Sequence, residues 1–179
     1  MQPQLSDKAY WLGLSLIAGI GPKRMMQLKA YFGDSAAAWR ASELALMDAG
    51  LHDGLAKALV AQRSRIDLAA EMRKVEQAGA WLLTPEDPRY SSLLREIDDA
   101  PVLLYVRGDI LPQDDRALAV VGTRKPSRNG SEAAFELSRS LAENGVTIVS
   151  GMAVGIDGGG ASGGNTRWWP DPGCARLRR

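Results

Sequence analysis

Cysteine and histidine are almost absent from this sequence of 179 residues, which holds one of each, Cys174 and His52. A disulfide within the chain needs a second cysteine, so this composition is typical of the reducing cytoplasm. A lone histidine also argues against a histidine-based metal site or a Ser-His-Asp triad. We therefore expect a cytoplasmic protein without a bound metal.

Long apolar runs and an excess of charge of one sign are missing too. No stretch reaches the ~20 apolar residues that a transmembrane helix needs, and the N-terminus lacks the pattern of a signal peptide. The 22 basic and 21 acidic residues leave a net charge of +1. Global charge therefore gives no argument for nucleic-acid binding, which would have to come from local donors. We expect no membrane partner.

The first part of the chain, residues 1–79, carries apolar residues at helical spacing between short breaks. Helices are predicted after Ser6, from Pro22 up to Gly33, over 42–49, and as one longer helix over 55–77. These patterns predict a helical N-terminal domain.

The turn Gly19-Ile20-Gly21-Pro22-Lys23-Arg24 resembles a helix-hairpin-helix element, which binds DNA backbones without sequence preference. Glycines let a phosphate approach the backbone, and a helix N-terminus with basic side chains attracts it. Gly19, Gly21, Lys23 and Arg24 are therefore candidates for a secondary contact with a DNA backbone. The alternative is an ordinary helix corner whose basic residues are only solvated.

A β-α-β pattern follows from residue 80. Short apolar runs over 81–83, 102–106, 118–121 and 147–149 predict strands, and residues 130–144 predict a helix between the last two. Strands of this composition are typical of a parallel sheet whose two faces are covered by crossover helices. The predicted fold class is therefore α/β, with the sheet domain over residues 80–157.

Two loops leave this predicted sheet at the carboxyl ends of its strands, where ligands of such folds bind. Their N–H groups, hydroxyls and basic side chains suit an anion, and the N-terminus of the helix adds to the attraction. The candidate phosphate-binding residues are Gly122, Thr123, Arg124, Lys125, Arg128, Asn129 and Gly130 in the first loop, and Ser150, Gly151, Gly155 and Asp157 in the second. The alternative is two glycine turns beside an exposed basic loop.

Neither loop matches G-x-G-x-x-G or G-x-x-x-x-G-K-[ST], so NAD and ATP are not indicated and no cofactor is expected. No residue is nominated as catalytic. Ser150 has no histidine partner, and Asp157 has no second carboxylate at an informative spacing. We expect a binding protein rather than an enzyme.

Three segments, "PRYSSLLREIDDAPVLLYVRGD", "VVGTRKPSRNG" and "VSGMAVGID", together resemble the DNA-processing protein A (DprA/Smf) family of bacterial transformation, and the resemblance extends over residues 8–157. It implies a sterile-alpha-motif-like (SAM-like) or helix-hairpin-helix N-terminal domain followed by an extended Rossmann domain. It also implies binding and protection of single-stranded DNA, loading of the RecA recombinase, and a homodimer. The resemblance further implies that Gly122-Thr123-Arg124 contacts DNA phosphates and that the second loop lies beside it in the same pocket. The family's members are not established enzymes.

Two other functions stay open. A nucleotide-processing enzyme of a related Rossmann group, which hydrolyses nucleoside monophosphates, would carry a later P-G-G-x-G-T loop with a glutamate, which this sequence lacks. Such an enzyme would release a nucleobase. A helix-hairpin-helix module for duplex DNA would instead keep its binding after deletion of residues 80–179.

The segment "GGGASGGNTRWWPDPGCARLRR", residues 158–179, departs from the family pattern A-A-A-H-x-G-A-L followed by A-G-G-x-T. Tryptophan has one codon, so Trp168-Trp169 fixes TGGTGG. With one choice of the other codons, deleting a single G after the Asp157 codon gives A-A-A-H-R-G-A-I-R-A-G-G-R. We infer a frameshifted tail and expect it to be disordered.

An incomplete Rossmann sheet has consequences for the rest of the chain. Strands that lose their neighbours leave apolar edges exposed, such as residues 118–121. We therefore expect marginal stability, impaired DNA binding and loss of the family's homodimer.

Overall fold

The computed structural model describes residues 5–151, 155–157, 166–168 and 174–176. The chain divides into two compact units, Met1–Leu103 and Leu104–Arg179. The first consists mainly of helices, and the second of short strands and one long helix. The predicted mixed α/β fold is therefore confirmed. Among the described helices, none is long and apolar enough to cross a membrane.

The first unit is held together by a core shared among its helices. Trp11, Leu28 and Leu59 are at most 1% exposed. Burying a large apolar side chain contributes roughly 1.5–3 kcal/mol, which makes this core the main source of stability in the unit. The elements of the unit are α1 Asp7–Ser15, α2 Pro22–Phe32, α3 Ser35–Arg40, α4 Glu43–Asp48, α5 Asp53–Arg63, α6 Leu68–Gln77, β1 Trp81–Leu83 and α7 Ser92–Arg95.

The single helix predicted over 55–77 is wrong, because the structure has two helices there. The side chain of Asp67 accepts a hydrogen bond from the N–H of Ala70 at 3.0 Å and caps the start of α6. Asp34 caps α3, a helix that was not predicted, through the N–H of Ala37 at 2.6 Å. In both places a short acidic side chain begins a new helix while the apolar pattern runs on.

The loop after β1 is tied to α1 by an ionic cluster. Lys8 Nζ lies 3.1 Å from Asp87 Oδ2, and the guanidinium of Arg89 donates to both oxygens of the same carboxylate at 3.0 and 2.9 Å. Arg89 also stacks 4.2 Å from the ring centroid of Trp81. These bonds connect the loop after β1 with α1 within the first unit, and the domain division at residue 80 stays a prediction.

Asp87→Asn should lower the free energy of unfolding by about 2 kcal/mol at neutral pH, because bonds to a charged acceptor are replaced by weaker ones. The hydrogen bonds, first of all those from Arg89, hold the pKa of Asp87 well below its usual value. A depressed folded-state pKa means that the stabilisation is present above the unfolded value of about 3.9 and is lost as the pH falls below it.

Urea unfolding in neutral and in acidic buffer measures this effect. The difference in unfolding free energy between the wild type and Asp87→Asn should shrink in acid. Asp48→Asn, at an exposed position on α4, is the control and should show little difference in either buffer. A difference in unfolding free energy between the wild type and Asp87→Asn that stays constant with pH would contradict the prediction.

The second unit contains the predicted β-α-β unit. β3 and β4 pair in parallel, with Leu118 opposite Ile148, and α8 connects them. Within this unit the strands follow the order β2-β6-β5-β4-β3. The elements are β2 Leu104–Arg107, a 3-10 turn Pro112–Asp115, β3 Ala117–Ala119, α8 Arg128–Glu143, β4 Thr147–Ser150, β5 Thr166–Trp168 and β6 Cys174–Arg176.

The two strands of the β-α-β unit differ in burial. Ile148 and Ser150 of β4 are buried, whereas all three residues of β3 are exposed and Leu118 is 46% exposed. The expectation that strands are covered on both faces is therefore wrong for β3, whereas the expected exposure of residues 118–121 agrees with the structure. The physical reason is the place of β3 at the end of the described strand order, where it has a neighbour on one side only.

Two short strands lie within the tail that was expected to be disordered. β5 pairs in parallel with β4, β6 pairs in parallel with β2, and β5 and β6 are antiparallel. Strand pairing satisfies backbone N–H and C=O groups whatever the side chains are, so a segment that makes a poor helix can still extend a sheet. The other residues of the tail lie outside the described part of the chain.

Candidate nucleic-acid interface

The two predicted loops meet where the parallel strands β3 and β4 end. The N–H of Ile156 donates to the main-chain oxygen of Thr123 at 3.2 Å. We call residues 122–130 the first loop and residues 150–157 the second loop. Their described residues form one surface at the carboxyl ends of the strands, which is where ligands bind in folds of this kind.

A buried carboxylate joins the two loops. Asp157 is 6% exposed, and its Oδ1 accepts a hydrogen bond from the N–H of Gly122 at 2.9 Å. The hydroxyl of Ser150, which is 2% exposed, donates to the main-chain oxygen of Asp157 at 3.0 Å. These bonds run between and within the loops, so the side chains of Ser150 and Asp157 are turned into the protein.

Glycine is required where the loop backbones touch. Gly155 has a φ of 111°, and a Cβ on it would lie 2.7 Å from the Cα of Arg124 and even closer to the main-chain oxygen of Thr123. A Cβ on Gly122 would lie 2.7 Å from the Cβ of Ile156. Side chains at either position would push the loops apart.

The helix α8 begins inside the first loop and is capped there. The hydroxyl oxygen of Ser127 accepts a hydrogen bond from the N–H of Gly130 at 3.1 Å. Ser127 was not predicted as a site residue, although a serine directly before a helix is a recognisable signal. The N–H groups of Arg128 and Asn129, in the exposed first turn, have no acceptor within the helix. The helix therefore offers two donors and the positive end of its dipole.

The three basic side chains of the first loop are exposed but differ in their partners. Arg128 Nε donates to Glu132 Oε1 at 2.9 Å, which neutralises its charge locally. The N–H of Lys125 donates to Thr123 Oγ1 at 3.2 Å. Within the described residues, the side chains of Arg124 and Lys125 have no ion-pair partner. These two side chains are therefore the ones best placed to meet an anion.

The corner before α2 has the predicted backbone, and its basic side chains have partners within the first unit. Gly19 has a φ of 87°, and Gly21 is the residue directly before α2. Arg24 Nη1 donates to the main-chain oxygen of Gly19 at 2.7 Å, and Lys23 Nζ lies 3.8 Å from Asp99 Oδ1. Arg24 thus stabilises the turn itself. A DNA contact at this corner stays a prediction.

Comparison with known proteins gives the family. Residues 81–163 match the model of DNA recombination-mediator protein A. The protein Smf of Synechocystis sp. is 34% identical over 157 residues, which is 85% of this chain and 39% of that protein. The chain belongs to the DNA recombination-mediator protein A family. Smf of Escherichia coli K12 is 30% identical over 145 residues, covering 75% of this chain and 38% of that protein.

A solved structure shares the fold of this family member. The X-ray structure of DNA processing protein A (DprA) from Streptococcus pneumoniae gives a TM-score of 0.70 at 23% identity, over 91% of this chain and 56% of that one. The chain spans about two fifths of the length of the two Smf relatives. The family match includes both loops of the candidate site, whereas the corner at 19–24 lies outside it.

Gly155→Ala should separate the two loops, because the substitution meets both a positive φ and a backbone clash. We expect a loss of about 1–3 kcal/mol in the free energy of unfolding. Faster hydrogen exchange at the N–H of Ile156 would report the broken bond to Thr123.

Gly151→Ala is the matched control for this variant. A Cβ at Gly151 would lie 3.4 Å from Asp157 Oδ2, an ordinary contact. Thermal unfolding and exchange at Ile156 should stay near the wild-type values in this control. Equal behaviour of the two variants would show that the loop contact does not require a glycine at position 155.

Proposed function

We propose that this chain binds single-stranded DNA by holding backbone phosphates between the first and second loops. The observation that carries the proposal is the position of Arg124 and Lys125 beside the first turn of α8, where the N–H groups of Arg128 and Asn129 have no acceptor within the helix. Guanidinium and ammonium groups next to helix N–H donors form a favourable environment for a phosphate. Contacts of this kind position a nucleic acid without reading its bases.

A single strand fits this arrangement better than a duplex does. The donors lie within the short first loop, which Asp157 joins to the second loop, so they are confined to a small area. A flexible strand can bend to bring its phosphates to such a spot, whereas a duplex holds its phosphates at fixed positions on a rigid helix. We therefore expect binding that tolerates any base sequence and weakens as salt is added.

Membership of the family supports a proposal for the role in the cell. Related proteins carry the name DNA processing protein DprA, which supports DNA as the ligand. We propose that this protein acts in the cytoplasm, where it binds and protects incoming single strands during natural transformation and helps to load RecA, without an enzymatic activity of its own. We also propose that the first unit is a SAM-like or helix-hairpin-helix domain and the second a Rossmann-type domain, and that the full-length family proteins are homodimers.

Arg124→Ala should weaken binding to a labelled oligodeoxythymidine about tenfold at low salt, because a charge-assisted contact to a phosphate is lost. The slope of log affinity against log salt should become shallower by about 0.7, the value for one phosphate contact on a single strand. Fluorescence anisotropy over a range of salt concentrations measures both quantities.

Arg139→Ala is the control for the loss of one positive charge. Arg139 lies on α8 and pairs with Glu136 at 2.9 Å, so its charge is already balanced. Its affinity and salt slope should match those of the wild type. If both arginine variants lose affinity equally, binding depends on net charge and not on the first loop.

The corner at 19–24 is proposed as a weaker, secondary contact with a DNA backbone. Lys23 is highly exposed but lies near Asp99, and Arg24 is bonded to Gly19. Lys23→Ala should therefore reduce affinity less than Arg124→Ala does in the same anisotropy assay. A larger loss of affinity in Lys23→Ala than in Arg124→Ala, together with a preference for duplex DNA, would indicate that the main DNA site is this corner.

A further inference from the structure

We propose that Asp157 is a positioning residue for strand binding: its buried carboxylate aligns the first loop through the N–H of Gly122 and does not itself contact DNA. The inference rests on the proposed function, since it concerns how the same two loops are held for a phosphate. It gives a structural role to a residue whose type and place in the loop alone suggest a ligand.

The carboxylate of Asp157 is turned into the protein. Asp157 is 6% exposed, Oδ1 accepts from Gly122 at 2.9 Å, and a Cβ placed on Gly151 would lie 3.4 Å from Oδ2. The hydroxyl of Ser150 holds the main chain of the same residue at 3.0 Å. The carboxylate thus bonds to the backbone at the start of the first loop, and the main chain of the same residue accepts from Ser150 at the start of the second loop.

The chemistry of a carboxylate next to a phosphate also favours a positioning role for Asp157. A carboxylate beside a phosphate repels it, so Asp157 is unfavourable as a phosphate ligand. As an acceptor from a backbone N–H, however, an ionised carboxylate makes a stronger hydrogen bond than a neutral amide does. Because Asp157 is buried between the two loops, it still accepts from the N–H of Gly122 but does not face the phosphate. The exposed side chains at the site are those of Arg124 and Lys125.

The bond to Gly122 fixes the backbone that carries the arginine. Gly122 directly precedes Thr123, whose main-chain oxygen accepts from Ile156, and Arg124 comes next. Gly155 packs against the backbone of the same two residues. Three contacts therefore hold Gly122, Thr123 and Arg124 in one conformation, and Asp157 anchors the first of them.

Two substitutions at Asp157 separate the effect of the hydrogen-bond acceptor on strand binding from the effect of the charge. Asp157→Asn keeps an oxygen that can accept from Gly122, although more weakly, and removes the repulsion of the phosphate, so it should bind a labelled oligodeoxythymidine nearly as tightly as the wild type. Asp157→Ala removes the acceptor and should weaken binding about tenfold, the effect of losing a hydrogen bond to a charged group. An Asn variant whose affinity lies closer to that of the Ala variant than to that of the wild type would overturn the proposal, as would an Ala variant that binds normally.

Hydrogen exchange at the N–H of Gly122 gives a readout that does not depend on DNA. We expect slow exchange in the wild type and in Asp157→Asn, and fast exchange in Asp157→Ala. Fast exchange in the wild type would overturn the positioning role whatever the binding data are. If the N–H of Gly122 exchanges slowly but the wild type binds no single strand, the proposed function is wrong, whereas the bond between Asp157 and Gly122 is confirmed.

A milder variant covers the case in which Asp157→Ala does not fold. Ser150→Ala removes only the hydroxyl that holds the main chain of Asp157, and it should weaken strand binding. Ser140→Ala, at an exposed position on α8, is its control and should bind as the wild type does. Equal affinity in the two serine variants would contradict the proposal.

Discussion

The close contact between the backbones of the two loops is the constraint on which the candidate site depends. At Gly155 the main chain runs against Thr123 and Arg124 with no space for a side chain, and its φ of 111° suits glycine. This contact places the start of α8 and the basic side chains of the first loop around one surface. Exposed charges that act singly contribute little to binding, so the convergence of several donors is what makes phosphate binding favourable.

Much of the fold could be predicted because its signals are local. Apolar runs of strand length, a helix between two of them and Pro22 at a helix start were enough to predict the β-α-β unit and α2. The division between α5 and α6 was missed because apolar periodicity continues across a break that a single capping side chain creates at Asp67. The exposure of residues 118–121 was expected for a sheet that lacks neighbouring strands, whereas the strand order that places β3 at the end depends on which strands pair and not on its own residues.

Contacts between distant residues explain the rest. Lys8 bonds to Asp87 within the first unit, and this pair has no signal in the sequence. Gly122 and Asp157 were predicted at the same sheet edge, but the hydrogen bond between them was not predicted. Residues 88–109 form one of the segments that resemble the family. A hydrogen bond within this segment closes its loop, because the hydroxyl of Tyr90 donates to the main-chain oxygen of Pro101 at 2.7 Å. That part of the resemblance therefore reflects folding, whereas the first loop carries the exposed cations.

Backbone amide shifts of isotope-labelled protein during titration with an oligodeoxythymidine test the central claim most directly, because they report which residues meet the strand. Binding between the loops predicts the largest changes at Thr123, Arg124, Arg128 and Asn129, with small changes along α5 and α6. Shifts confined to residues 19–24, or a bound strand that leaves both loops unchanged, would contradict phosphate binding at this site.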